Sequence, residues 1–181
     1  MKKISTNVLL TLILSLSLGN EAFARDRSHL LINNAVDSII GLQNLEYSYK
    51  AAENLTIGVT AISAEQLKIN DIELNGNSYG GIVRYYFEPV FEADSWYLAA
   101  AANKTNFEAS IISNGTKYTG KSDNSIAAGG GYHWFWNDFN MTLGAMISYK
   151  SKIQLKDAAG NQYIDSINPN LGFEIKMGGS F

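Results

Sequence analysis

The sequence predicts an all-β chain of about eight antiparallel strands in up-and-down order, closed into a barrel. Three observations carry that expectation. Beyond the N-terminal region no helical period is sustained, whereas short runs of alternating apolar and polar residues recur between turn-rich segments. There is no Cys, so neither a disulfide framework nor a lipid-modified cysteine is available, and the fold rests on burial and strand pairing. The 16 Gly and the 12% aromatic content suit closely packed, curved sheets.

Residues 1–24 read as a secretory signal. Lys2 and Lys3 precede an apolar core from Val8 to Leu18, and Ala22-Phe23-Ala24 supplies the small-x-small cleavage pattern. That core is shorter than the roughly 20 residues a membrane helix needs. Cleavage is expected after Ala24, leaving one domain over 25–181. No other segment is apolar enough for a membrane helix, so membrane insertion would use strands. The formal net charge is −3 and no basic stripe is present, which argues against nucleic acid as a partner.

The strands follow in order. His29 to Asn34 is the weakest, and Val36 to Ile40 reads as a tight return. Gly41 to Tyr49 sets Leu45, Tyr47 and Tyr49 against Asn44, Glu46 and Ser48, before a polar turn over Lys50 to Asn54. Leu55 to about Lys68 alternates Leu55, Ile57, Val59 and Ala61 with Thr56, Gly58 and Thr60. Residues 69–77 read as a polar loop. Ser78 to Phe87 opposes Tyr79, Val83 and Tyr85 to Ile82, Arg84 and Tyr86, and Glu88-Pro89 stops pairing. Ser95 to about Ala109 has Trp96, Leu98, Ala100 and Ala102 on one side, with an opposite side nearly as apolar. After a long polar loop over 110–124, Ser125 to Phe135 opposes Ile126, Tyr132 and Trp134 to Gly129, Gly131 and His133. Trp136-Asn137-Asp138 turns the chain into Asn140 to Ser151, and 152–167 makes a last polar excursion.

The final stretch, Asn170 to Phe181, separates most cleanly. Leu171, Phe173, Ile175, Met177 and Phe181 share one face, while Glu174 and Lys176 share the other with Gly and Ser. Alternating apolar residues leading to a Phe resemble the closing strand of bacterial outer-membrane β-barrels. In that family the stretch is also the signal read by the assembly machinery, which would place that role on Phe173, Ile175, Met177 and Phe181. Aromatics flank the short turns: Tyr47, Tyr49, Phe87, Phe91, Trp96, Trp134, Trp136 and Phe139. They would form a girdle at headgroup depth, with the longer loops at the opposite end. The mature chain resembles small barrels of the OmpA membrane domain, OmpX and OmpW type. The resemblance implies an eight-stranded transmembrane barrel in the outer membrane of a Gram-negative bacterium. Its partners would be outer-membrane lipids, lipopolysaccharide, the assembly machinery and a host or surface ligand.

A soluble lipocalin-like barrel carrying an apolar ligand would also alternate. The face that bears charge distinguishes the two. Glu46, Arg84, His133, Glu174 and Lys176 all lie opposite the face that carries Tyr47, Tyr49, Tyr79, Tyr85, Tyr132, Trp134 and Phe181, leaving that apolar face free of charge. Lys or Arg facing lipid at mid-depth costs about 2–4 kcal/mol, so the membrane barrel accounts for this pattern better. The five residues would then form a lumenal charge network, Arg84 and Lys176 pairing with Glu46 and Glu174.

Catalytic motifs fall short. Gly115 to Ser122 matches the phosphate-loop spacing, but that loop must open a helix, and Asp123 to Phe135 has strand alternation. Lipid hydrolases among outer-membrane barrels resemble His-x-Ser, whereas His133 is followed by Trp134 and Phe135. Two His, no Cys and no close carboxylate cluster leave no expected metal or cofactor. The expected function is non-enzymatic: a barrel whose loops 69–77, 110–124 and 152–167 serve envelope integrity, adhesion or host contact. The alternative is a narrow, porin-like conduit for small molecules, including hydrophobic ones. A lipid-modifying enzyme or a lipocalin-like carrier ranks below both.

Overall fold

A computed structural model describes residues 27–40, 42–69, 72–111, 117–150, 153–157, 162–165 and 169–181. The expected signal segment, 1–24, lies outside them. Among the described residues ten strands appear: β1 His29–Asn34, β2 Leu42–Ala52, β3 Leu55–Ile69, β4 Ile72–Tyr86, β5 Ser95–Ile111, β6 Lys117–Trp136, β7 Phe139–Lys150, β8 Ile153–Asp157, β9 Gln162–Asp165 and β10 Asn170–Ser180. One helix, α1, spans Ala35–Ile40.

Every neighbouring pair is antiparallel, and the order β5-β4-β3-β2-β1-β10-β7-β6 closes through a β5–β6 pairing. These eight strands are the staves of a closed barrel. Closure matters because an open edge presents unpaired N–H and C=O groups, which hydrocarbon cannot satisfy. The remaining pair extends the wall. β8 takes up the β6 edge where β7 leaves it, Ser125 facing Lys150 and Ser122 facing Ile153, and β9 pairs β8.

The weak first strand completes the ring. Leu30 to Asn34 pairs with Ser180 to Lys176 on one side, and His29 to Asn33 with Tyr49 to Leu45 on the other. Its alternation is of unequal burial, Leu30, Ile32 and Asn34 being buried while the residues between them are partly exposed.

Several boundaries differ from the sequence expectation. The expected tight return over Val36 to Ile40 is helical, and its first turn is capped where Asp37 N–H donates to Asn34 Oδ1 at 3.4 Å. The Lys50 to Asn54 turn narrows to Glu53-Asn54, because β2 runs on to Ala52 past a register shift after Lys50. The polar segments shrink most. Ile69 pairs with Ile72, so 72–77 belongs to β4. β5 reaches Ile111 and β6 starts at Lys117, with Ser110 facing Lys117. The 152–167 excursion contains the β8–β9 hairpin. These stretches do not read as strands in the sequence because they extend beyond the apolar outer face, where polar residues interrupt the alternation. The phosphate-loop spacing ends inside β6, in extended chain rather than at a helix start.

Side-chain facing is inverted relative to a soluble protein. Tyr47, Tyr85, Trp96, Leu98, Ile126, Leu143, Phe173 and Ile175 are exposed on the outside. Arg84, Glu46, His133, Asn140 and Thr142 are buried inside. The facing of β5 is thereby settled: Trp96 and Leu98 point out, Tyr97 and Ala99 in. Two register shifts, between Ala64 and Leu67 and between Asn103 and Thr105, fall where the outward face turns from apolar to charged, at Glu65 and Lys104.

Candidate functional site

The lumen holds its chemistry at one level. Glu46 comes from β2, Arg84 from β4, His133 from β6, and Glu174 and Lys176 from β10. Each sits between outward apolar neighbours, so the two-residue strand period turns it inward. The interior of eight staves is only wide enough for side chains to meet across it.

Four of the five residues form one charge-balanced cluster. Arg84 grips Glu46 with both terminal nitrogens, Nη1 on Oε1 and Nη2 on Oε2, the latter at 2.9 Å. Lys176 Nζ lies 3.1 Å from Glu46 Oε2 and 2.6 Å from Glu174 Oε2. Arg84 Nη2 is 3.8 Å from Glu174 Oε1. Each cation therefore touches both anions, joining three staves without net charge. Neutral groups take up the remaining lone pairs: Ser48 donates to Glu46 Oε1 at 3.0 Å and Tyr97 to Glu174 Oε1 at 2.7 Å. The Arg84 guanidinium lies 5.4 Å from the centre of the Tyr97 ring. At the dielectric suited to such sites, opposite charges about 4 Å apart attract by about 4 kcal/mol, which offsets their desolvation when every oxygen is bonded.

His133 stands beside this cluster without joining its ion pairs. Tyr86 donates to Nδ1 at 3.0 Å and Nε2–H donates to Asn140 Oδ1 at 3.1 Å, a pattern a neutral imidazole satisfies. Its ring stacks on Phe135 at 4.1 Å. Its partners are a phenol and an amide, so the arrangement provides neither a nucleophile nor an orienting acid. Among the described residues no group of three or more His, Asp or Glu could hold a metal.

Sequence reasoning left Tyr97 unplaced. This residue crosses the lumen over a floor of glycine: a Cβ added at Gly131 would lie 2.6 Å from its hydroxyl, and one at Gly144 would meet the same oxygen. The detectable signal was the glycine pair itself, since facing glycines on adjacent strands make room for a ring from elsewhere. Asn140, which bonds His133, carried no signal beyond its inward parity.

The four residues suggested as an assembly signal sit on the outer face or at the end of β10. Phe173, Ile175 and Met177 are exposed. The Phe181 backbone exchanges hydrogen bonds with His29, N to O at 3.0 Å and O from N at 2.9 Å, and its ring stacks on His29 at 5.5 Å. His29 in turn meets Tyr47, whose hydroxyl is 2.6 Å from Nδ1. The first and last strands are thus fastened at the turn end.

Neither the protein-family models nor the curated proteins provide a match to this sequence. Among solved structures, the crystal structure of the N-terminal β-barrel domain of Pseudomonas aeruginosa OprF is similar. The likeness has a TM-score of 0.59 at 12% identity and covers 86% of this chain and 96% of that domain. At that identity the likeness speaks to architecture, and it agrees with the closed ring of staves. The chain has the fold of that domain, a closed antiparallel β-barrel of eight staves.

Proposed function

We propose that this chain is a non-enzymatic integral protein of the bacterial outer membrane, exported through its N-terminal segment, with a surface-side extension that serves envelope integrity, adhesion or host contact. One observation supports the reading above the rest: the outer face is apolar and uncharged through the middle of the staves, whereas the charges are buried inside. On β4 the outward series from Tyr79 to Phe87 is uncharged and includes Tyr79, Val83, Tyr85 and Phe87, a run about as long as the 9–11 residues a transmembrane strand needs.

Above that band β3 to β6 continue upward and the β8–β9 hairpin widens the wall. Glu65, Lys68, Lys104 and Glu108 are exposed there, a polar platform suited to a surface partner. At the level of the band, the charge cluster spans the lumen and argues against an open pore. Outer-membrane lipids and lipopolysaccharide are the partners of the apolar band, and the assembly machinery that of the closing strand.

Cell fractionation with heat-modifiable gel mobility tests the reading. The protein is expected in the outer-membrane fraction, migrating differently before and after boiling. Recovery in the soluble periplasmic fraction contradicts it. Lipid A whose acylation changes on deletion would contradict the non-enzymatic part alone.

A further inference from the structure

Two connections at the turn end are minimal, Glu53-Asn54 and Asn137-Asp138. The third, Phe87–Asp94 between β4 and β5, is longer and folds back under the lumen. Val90 is fully buried and Phe91 is 9% exposed, and both join the core formed by Leu30, Tyr86 and Tyr97.

The ties that seat this segment lie outside the barrel ladders. Val90 N–H donates to the Glu53 carbonyl at 2.9 Å. Lys50 donates to the Val90 carbonyl at 3.2 Å, pairs with Glu92 at 3.6 Å and sets its ammonium 5.9 Å from the Phe91 ring centre. Asp94 accepts the Phe135 N–H at 2.8 Å. Where the segment leaves and rejoins the wall, Ser95 Oγ accepts the N–H groups of Phe87 and Glu88 at 3.1 and 2.9 Å.

Phe91 has φ 72°, in the left-handed region that bulky residues rarely adopt. Glycine would hold that backbone without strain. A ring is there instead, and it is the ring that fills the mouth. It meets Phe135 edge-on at 5.6 Å, Phe135 stacks on His133, and His133 bonds Tyr86 just below the charge cluster.

We propose that Phe87–Asp94 is a stopper for the turn end of the lumen, seated by the Phe91 ring, which can leave its seat without breaking a stave. It governs solvent access to the lumenal residues beneath the charge cluster, His133 and Tyr86. Beyond Phe87, whose N–H donates to the Trp96 carbonyl at 3.1 Å, its backbone is outside the ladders, its anchoring ion pair is at the surface with Glu92 67% exposed, and its seated form carries strain that release removes. That this mouth faces the periplasm rests on the function proposed above; the seal itself does not.

The test is made on the full mature barrel refolded in detergent micelles, where both ends meet solvent and membrane orientation has no bearing. Thr142, fully buried and facing the lumen beside His133 and Lys176, is replaced by Cys as a reporter for a water-soluble thiol reagent. With the native stopper the reporter should react slowly. Adding Phe91→Gly, which relaxes the backbone while removing the ring, should speed the reaction by about tenfold or more. Lys50→Met keeps the alkyl stem, loses the Val90 and Glu92 ties, and should give an intermediate rate. Both barrels should remain heat-modifiable. Unchanged rates in both variants would overturn the proposal, because the seal would then lie elsewhere. Loss of the folded barrel in both would also overturn it, because the segment would be fixed core and not a stopper.

Discussion

Arg84→Ala removes the residue that ties β2 to β4 across the lumen, and its consequences can be worked from the geometry. Glu46 loses two charge-assisted hydrogen bonds but keeps Lys176 at 3.1 Å. Glu174 loses a weaker contact at 3.8 Å and keeps both Lys176 and Tyr97. The cluster is left one negative charge in excess in a buried space, so the expected loss is about 3–5 kcal/mol. Glu46→Ala is the converse: Arg84 retains only the contact to Glu174 among these carboxylates, and a comparable loss of about 3–5 kcal/mol is expected. In the double variant the excess charge is gone, and the Lys176–Glu174 pair stands intact at 2.6 Å. The two effects should therefore fall short of additivity by about 1–3 kcal/mol. Urea unfolding of each variant in lipid vesicles, followed by Trp fluorescence, reads the cycle. Strict additivity would refute the pairing.

Other expectations follow from single contacts. Tyr97→Phe removes one neutral donor to a buried carboxylate and should destabilise by about 1.5–3 kcal/mol, measured by the same unfolding. Gly131→Ala drives a methyl against the Tyr97 hydroxyl and the Gly144 backbone, so a loss of about 1–3 kcal/mol and a lower melting temperature are expected. Deleting Phe181 removes both the ring on His29 and the backbone bonds that fasten the last strand to the first. Outer-membrane insertion should fall and periplasmic degradation rise, whereas Phe181→Tyr should insert normally, since either ring suits the interface. Heat-modifiable protein at wild-type level without Phe181 would count against that role.

Legibility in the sequence depends on whether a segment has one apolar outer face and one lumenal face. Where an exposed apolar face backs onto a narrow lumen, composition alternates, and residues such as Tyr47, Val83 and Phe173 announce their side. That same alternation assigned Glu46, Arg84, His133, Glu174 and Lys176 to the interior, and the structure brings four of them into direct contact while His133 bonds Tyr86 and Asn140 instead. Beyond the apolar band the rule lapses. Glu73, Asn75 and Asn77 belong to a paired strand, yet their polarity resembles that of a loop. Strand β5 is ambiguous for the opposite reason: Tyr97 and Ala99 are as apolar as their outward neighbours, and they face Gly131 and Gly129 on β6. The stopper was hidden as well, since Pro89 marks a break in pairing but says nothing of where Val90 and Phe91 go afterwards.

The central claim is an inside-out barrel: apolar residues against lipid, charges in the lumen. Single spin labels placed in turn from Tyr79 to Phe87 along β4, in the full protein reconstituted into lipid vesicles, test it most directly. Accessibility to oxygen, which concentrates in the bilayer, should peak at Tyr79, Val83 and Tyr85 and drop at Ile82, Arg84 and Tyr86, following the exposure of the first three and the burial of the others. The period should be two residues, and a water-soluble nickel reagent should find little at the oxygen-accessible positions. A reversed phase, or odd positions open to nickel and closed to oxygen, would contradict the account and point to a soluble barrel with its apolar face in water.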